Sequence, residues 1–254
     1  MAGHSKWANI KHRKAAKDAR KGQAFARYSR EIIVAAKMGG GDPAGNFRLR
    51  TAIDKAKAVG IPNDNIQRAI EKGAGTGAAD NLETVVYEGY GPGGVAVMIE
   101  TMTDNRNRTA GDIRSYFNKY EGNLGSDGCV AWIFEQRGLI QIDPAACPVQ
   151  SDALVNAIIE AGAEDFTPNE ESGLIDVMTS PADMNAVCQA LADQKIPVVS
   201  AEWTRIPQNS APVTELAVAR PLMKLLDALE NHDDVQAVYA NVEMDDALLD
   251  EADG

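Results

Sequence analysis

Residues 83–101 read ETVVYEGYGPGGVAVMIET, and the meaning given to their glycines decides the fold. Gly89, Gly91 and Gly94 satisfy the spacing G-x-G-x-x-G, the fingerprint of a dinucleotide site. In such a site the glycines lie between a strand and a helix whose N-terminus receives the phosphates. Here Pro92 sits inside the match, and a β-type run, Val95 to Glu100, follows at once. Two apolar runs joined by a glycine-rich turn predict a β-hairpin. The chain is therefore expected to be α+β rather than a nucleotide-binding α/β fold.

Downstream, Asn105 to Tyr120 carries Ile113, Tyr116 and Phe117 at helical spacing, and residues 129–135, CVAWIFE, read as a strand. A second unit begins at Gly138. It runs strand Leu139 to Ile142, helix Asp152 to Ala161, strand Asp165 to Thr167, strand Leu174 to Met178, helix Ala182 to Asp193 and strand Val198 to Trp203. That β-α-β-β-α-β order is the ferredoxin-like split β-α-β unit. Leu222 to Leu229 then predict a helix and Val235 to Val242 a strand. These last elements need a sheet to join, and the unfinished unit before residue 136 is the host. The expected division is thus a helical domain over residues 1–78, a discontinuous α+β domain over 79–136 plus 207–246, and a ferredoxin-like domain inserted over 137–206. The acidic tail DDALLDEADG is expected to fray.

Upstream the chain is helical and basic. Phe25, Tyr28, Ile32 and Ala35 or Ala36 mark one amphipathic helix, ended by Gly39, Gly40 and Gly41. Asp42-Pro43 predicts the cap of a second, with Leu49, Ile53 and Ala56 on its inner side and Gly60 at its end. Ile66, Ala69 and Ile70 mark a third, closed by Gly73, and residues 73–81, GAGTGAADN, read as a linker. Residues 1–22, MAGHSKWANIKHRKAAKDARKG, set seven bases against one acid, Asp18. On a helix Arg13, Lys17 and Arg20 fall at i, i+4 and i+7, with Lys14 and Lys21 beside them.

The net charge of −12 conceals a division. Residues 1–72 hold 16 Lys and Arg against 6 Asp and Glu, +10, leaving 9 bases against 31 acids, −22, for the rest. An acidic trunk repels a polyphosphate, so a nucleic acid is expected to meet the N-terminal part. The candidate phosphate contacts are Lys6, Lys11, His12, Arg13, Lys14, Lys17, Arg20, Lys21, Arg27, Arg30, Arg48, Arg50, Lys55 and Lys57. Trp7 suits either an anchor to the bundle or a stack on an unpaired base. A solvated lysine-rich helix is the plainer alternative, and the residues show no groove-reading helix.

Catalytic and metal readings are weak. Glu100 and Asp104 suggest paired carboxylates, but Arg106 and Arg108 would hold them ionised, and Asp104 or Asn105 is better placed to cap a helix. His4, His12 and His232 have no ligand spacing, and Cys129, Cys147 and Cys188 fit reduced, packed thiols. No apolar run of about 18 residues exists, nor a secretory h-region, so a cytoplasmic protein without membrane, cofactor or small-molecule substrate is expected.

The opening block, GGGDP, RLRTAIDKAKA, IPNDNIQRAIEKG, YEGYGPGG, TDNRNRT and the late LENHDDVQAVY together resemble the YebC/PmpR family over nearly the whole chain. The resemblance implies a non-enzymatic, cytoplasmic protein of three domains, described as a DNA-binding transcriptional regulator. It also implies an alternative, a ribosome-associated factor binding ribosomal RNA that activates translation or relieves stalling. The residues themselves do not choose between the two.

Overall fold

The computed structural model describes residues 21–75, 83–149, 152–169 and 172–253. Among them one compact unit spans residues 135–206, and a second takes the chain on both sides of it. The architecture is α+β.

The second unit begins with three helices, α1 (Lys21–Gly39), α2 (Phe47–Ala58) and α3 (Asn63–Gly73). Ile32, Ala35 and Ala36 from α1 meet Leu49, Ala52 and Ala56 from α2 and Ile66 and Ala69 from α3 in one core. Small residues let the backbones approach: a Cβ on Gly73 would lie 2.3 Å from the Ile33 carbonyl oxygen. The cap of α2 is not the expected Asp42-Pro43. Asn46 serves instead, its Oδ1 accepting from the Leu49 amide at 3.0 Å while its Nδ2 donates to the Ala35 and Gly40 carbonyls. Asp42 accepts from the Ala44 amide within the preceding turn. One buried amide thus closes α1 and opens α2, a task a carboxylate without donors cannot perform.

The hairpin forms as expected, β1 (Glu83–Tyr90) pairing antiparallel with β2 (Ala96–Thr103) from Glu83 opposite Thr103 to Tyr90 opposite Ala96. Its glycine turn is a single 3-10 turn, with Gly93 and Gly94 at φ +73°, a region L side chains rarely adopt. After α4 (Arg106–Lys119) come the short β3 (Asn123–Leu124) and a 3-10 turn at Ala131–Ile133, where a strand was expected. Across the gap in sequence follow β8 (Ala211–Pro212), α7 (Leu216–Glu230), β9 (Val235–Ala240), β10 (Val242–Glu243) and α8 (Asp246–Asp253). The sheet order is β3-β1-β2-β9, so the late strand β9 does complete the early sheet. Val97 and Ile99 pack with Ile113, Phe117, Leu222, Leu226 and Leu229, while Ala96 and Met98 pack with Val130, Ile133 and Phe134. With both faces covered, the first half of β2, Ala96 to Ile99, is apolar without a break.

Three expectations fail here for physical reasons. α7 starts six residues before Leu222 and contains Pro221. Burial of Ala219, Leu222, Met223, Leu225 and Leu226 outweighs the proline's missing amide bond, which alone costs about 3 kcal/mol. The tail does not fray, because Leu249 and Ala252 of α8 enter the core. The final strand divides at Asn241, whose side chain accepts from the Ala96 amide at 2.8 Å while β10 turns to pair with β8.

In the other unit, β4 (Phe134–Ile142), α5 (Asp152–Glu160), β5 (Asp165–Asn169), β6 (Leu174–Thr179), α6 (Met184–Asp193) and β7 (Val198–Pro207) make a sheet ordered β5-β6-β4-β7. Numbered within the unit this is 2-3-1-4, the ferredoxin-like order. The break expected at Gly138 is absent, and one strand runs through it. A Cβ there would lie 2.3 Å from Thr179 Oγ1 and 2.9 Å from Met184 Cβ, so this glycine marks close packing rather than a turn.

Candidate nucleic-acid interface

Lys6, Lys11, His12, Arg13, Lys14, Lys17, Arg20 and Trp7 lie outside the described residues, and Lys21 opens α1. The other predicted contacts lie on α1 and α2, where the apolar spacing that builds the core turns the remaining positions outward. Arg48 and Arg50 flank the glycine loop: Arg48 Nη1 donates to Met38 Sδ at 3.1 Å and Arg50 Nη1 to the Pro43 carbonyl at 3.3 Å. Lys57 is exposed and Arg27 half-buried. Lys55 lies 3.8 Å from Glu31 Oε1 and so ties α2 to α1. Arg68 and Lys72, four apart on α3, are exposed as well. They were counted in the charge but not singled out, although their i, i+4 spacing places them on one helix face.

Arg30 is placed differently. It reaches from α1 to Asp234, just before β9, with 3.4 Å between Nη2 and Oδ1. Asp234 is 4% exposed, and its Oδ2 also accepts from Arg108 Nη2 at 2.8 Å, Thr109 Oγ1 at 2.7 Å and Thr103 Oγ1 at 3.2 Å. Burial pushes the Asp234 carboxyl up, but the Arg108 and Thr109 hydrogen bonds, with the Arg108 and Arg30 charges, prevail and hold it below the ordinary range. Sequence reading missed Asp234, since DD in a short loop looks like a solvated turn. The neighbouring TDNRNRT segment divides its tasks: Asn105 caps α4 through the Arg108 amide, while Arg108 also pairs with Asp104 at 3.0 Å.

A second buried acid, Glu88, was also missed. Its carboxylate accepts from the amides of Gly128, Val130 and Ala131 at 2.8–2.9 Å and shapes the turn before β4. These bonds fix loops and helix ends, and Asp104 is turned to Arg108. Among the described residues no group of His, Cys, Asp and Glu is arranged to hold a metal, and no helix is long and apolar enough to cross a membrane. The three cysteines are unbridged.

Residues 5–76 match the TACO1/YebC protein N-terminal domain, and residues 82–242 match the TACO1/YebC second and third domain. The chain belongs to the TACO1/YebC family. A relative in Desulfitobacterium hafniense is 52% identical over 251 residues, covering 99% of each chain, and one in Trichormus variabilis is 54% identical, covering 98% of each. Both are named probable transcriptional regulatory proteins. The crystal structure of a conserved hypothetical protein from Aquifex aeolicus is similar to this TACO1/YebC chain at a TM-score of 0.78 and 43% identity, over 90% of this chain and 93% of that one. The relatives are thus named for regulation and not for catalysis.

Proposed function

We propose that the protein is a non-enzymatic DNA-binding transcriptional regulator that takes the phosphate backbone through an N-terminal helical domain of residues 1–78, in the cytoplasm. The observation that carries this reading is the division of charge, +10 over residues 1–72 against −22 over the rest. The exposed bases Arg50 and Lys57 on α2 and Arg68 and Lys72 on α3 support it, as do the names of the relatives. Phosphate contact needs donors and positive charge along a surface, and Lys6 to Lys21 extended by Arg27, Arg48, Arg50 and Lys57 supply both. Lys55, which also pairs with Glu31, contributes less, and Arg30 is shared with Asp234.

The test is crosslinking in cells followed by sequencing of the attached nucleic acid, with a salt titration in vitro. Promoter fragments are the expected catch, whereas a catch made up of ribosomal RNA overturns the transcriptional reading. If roughly six phosphates are neutralised, log K on duplex DNA falls with a slope of about −5 against log salt. An affinity indifferent to salt removes the basic surface from the interface.

A further inference from the structure

The buried Asp234 carboxylate has two unequal sides. Oδ2 takes donors from Arg108, Thr109 and Thr103, all on β2, α4 and the turn between them. Oδ1 faces Arg30 alone among the described residues, across 3.4 Å. Breaking a buried ion pair is costly when it strands a bare charge. Departure of Arg30 strands none, because Arg108 already compensates the carboxylate from within the sheet body.

Arg30 itself is loosely held. Its side chain is 23% exposed, and Nη1 is buried with no hydrogen-bond partner among the described residues. A guanidinium has five donors in a fork that suits a phosphate's oxygens. Phosphate can therefore offer Arg30 more than Asp234 does, while Asp234 loses little in the exchange.

We propose that Arg30–Asp234 is a latch between the helical bundle and the sheet body, and that a nucleic-acid backbone opens it by taking Arg30. The proposal rests on the nucleic-acid reading above and names how that same surface is regulated. Its direction follows from charge. The sheet body, residues 83–134 with 207–254, carries 6 bases against 18 acids. With the latch closed, the basic bundle is held against this acidic surface; opened, the two separate beyond a Debye length of about 8 Å and the repulsion felt by a bound polyanion is screened. The open form is the tighter binder, so nucleic acid favours it by linkage.

The experiment uses the full chain with a fluorescent duplex of about 25 base pairs at about 150 mM salt, the ionic strength of that Debye length, and small-angle scattering with and without duplex. Asp234→Asn breaks the latch and keeps every base. Asp104→Asn removes the same single charge from the other carboxylate on Arg108 and does not touch Arg30. Arg30→Gln opens the latch from the opposite side with Asp234's three body donors in place, so it folds even if Asp234→Asn does not. The expected result is that Asp234→Asn and Arg30→Gln are extended in scattering before duplex is added, that wild type extends only on adding it, and that Asp234→Asn binds at least threefold tighter than Asp104→Asn. Equal affinities for these two variants, or a wild-type shape unchanged by bound duplex, overturn the latch and leave the nucleic-acid reading standing. A wild type that binds no duplex overturns both, and scattering from Arg30→Gln alone then reports whether the ion pair orients the bundle.

Discussion

The helical bundle and the sheet body of the same unit are built in opposite ways. The bundle's interior is largely alanine and isoleucine, with Gly73 letting two helix backbones nearly touch. The body buries long side chains, Phe117, Leu222, Leu225, Leu226 and Leu229, and fixes its loops with the buried polar groups Glu88, Asp234 and Asn241. Small residues remove less apolar area from water, so the bundle gains less from each buried residue. Its outer positions carry bases, whereas the body's surface carries acids. On the proposed reading, stability and contact with a polyanion are divided between the two, and the core of one can be disturbed with limited effect on the other.

Phe117→Ala makes the sharpest test of that division, because this ring is fully buried and reaches towards the sheet at Gly89. The body should lose about 3–5 kcal/mol in urea unfolding, with the bundle's hydrogen exchange little changed. Coupled loss of both parts would break the comparison. Next in size is charge reversal at Arg13, Lys14 and Lys17, for which affinity for duplex DNA should fall by about 100-fold, or about 3 kcal/mol, with the melting temperature nearly constant. Gly73→Ala comes third: the clash with the Ile33 carbonyl should cost about 1–3 kcal/mol, read as faster exchange in α1 and α3 while β1 and β2 stay protected.

The smallest effect is electrostatic. The Asp234 carboxyl is held below its ordinary value in the folded protein, so its contribution to stability is present above the unfolded value of about 3.9 and is lost as pH falls through the folded one. Asp234→Asn should therefore flatten the acid limb of the stability profile below about pH 4 and leave the slope at pH 6–8 as in wild type. An unaltered acid limb would show that this carboxylate contributes nothing to the difference between bundle and body.

The elements that were legible in advance are those whose signal is local. The hairpin at 83–101, the helix ends at Gly39, Gly60 and Gly73, and the Asn105 cap depend on residues within one or two turns. The errors fall where distant packing overrides local preference. Pro221 lies inside a helix because the sheet buries the face around it, Gly138 lies inside a strand because Thr179 and Met184 press against it, and the acidic tail is held by Leu249 and Ala252. At the proposed interface, the bases themselves could be read directly, but the separate placement of Arg30 and Lys55 could not.

By itself the sequence determined the α+β class, the order of elements and the charge division, since periodicity, turn residues and net charge are properties of neighbouring residues in a chain. Only the tertiary structure decided that Arg30 and Asp234, more than two hundred residues apart, share an ion pair, and that Glu88 shapes a turn forty residues away. Each of these pairings depends on a desolvated carboxylate meeting donors distant in sequence, and that encounter exists only after the chain has folded.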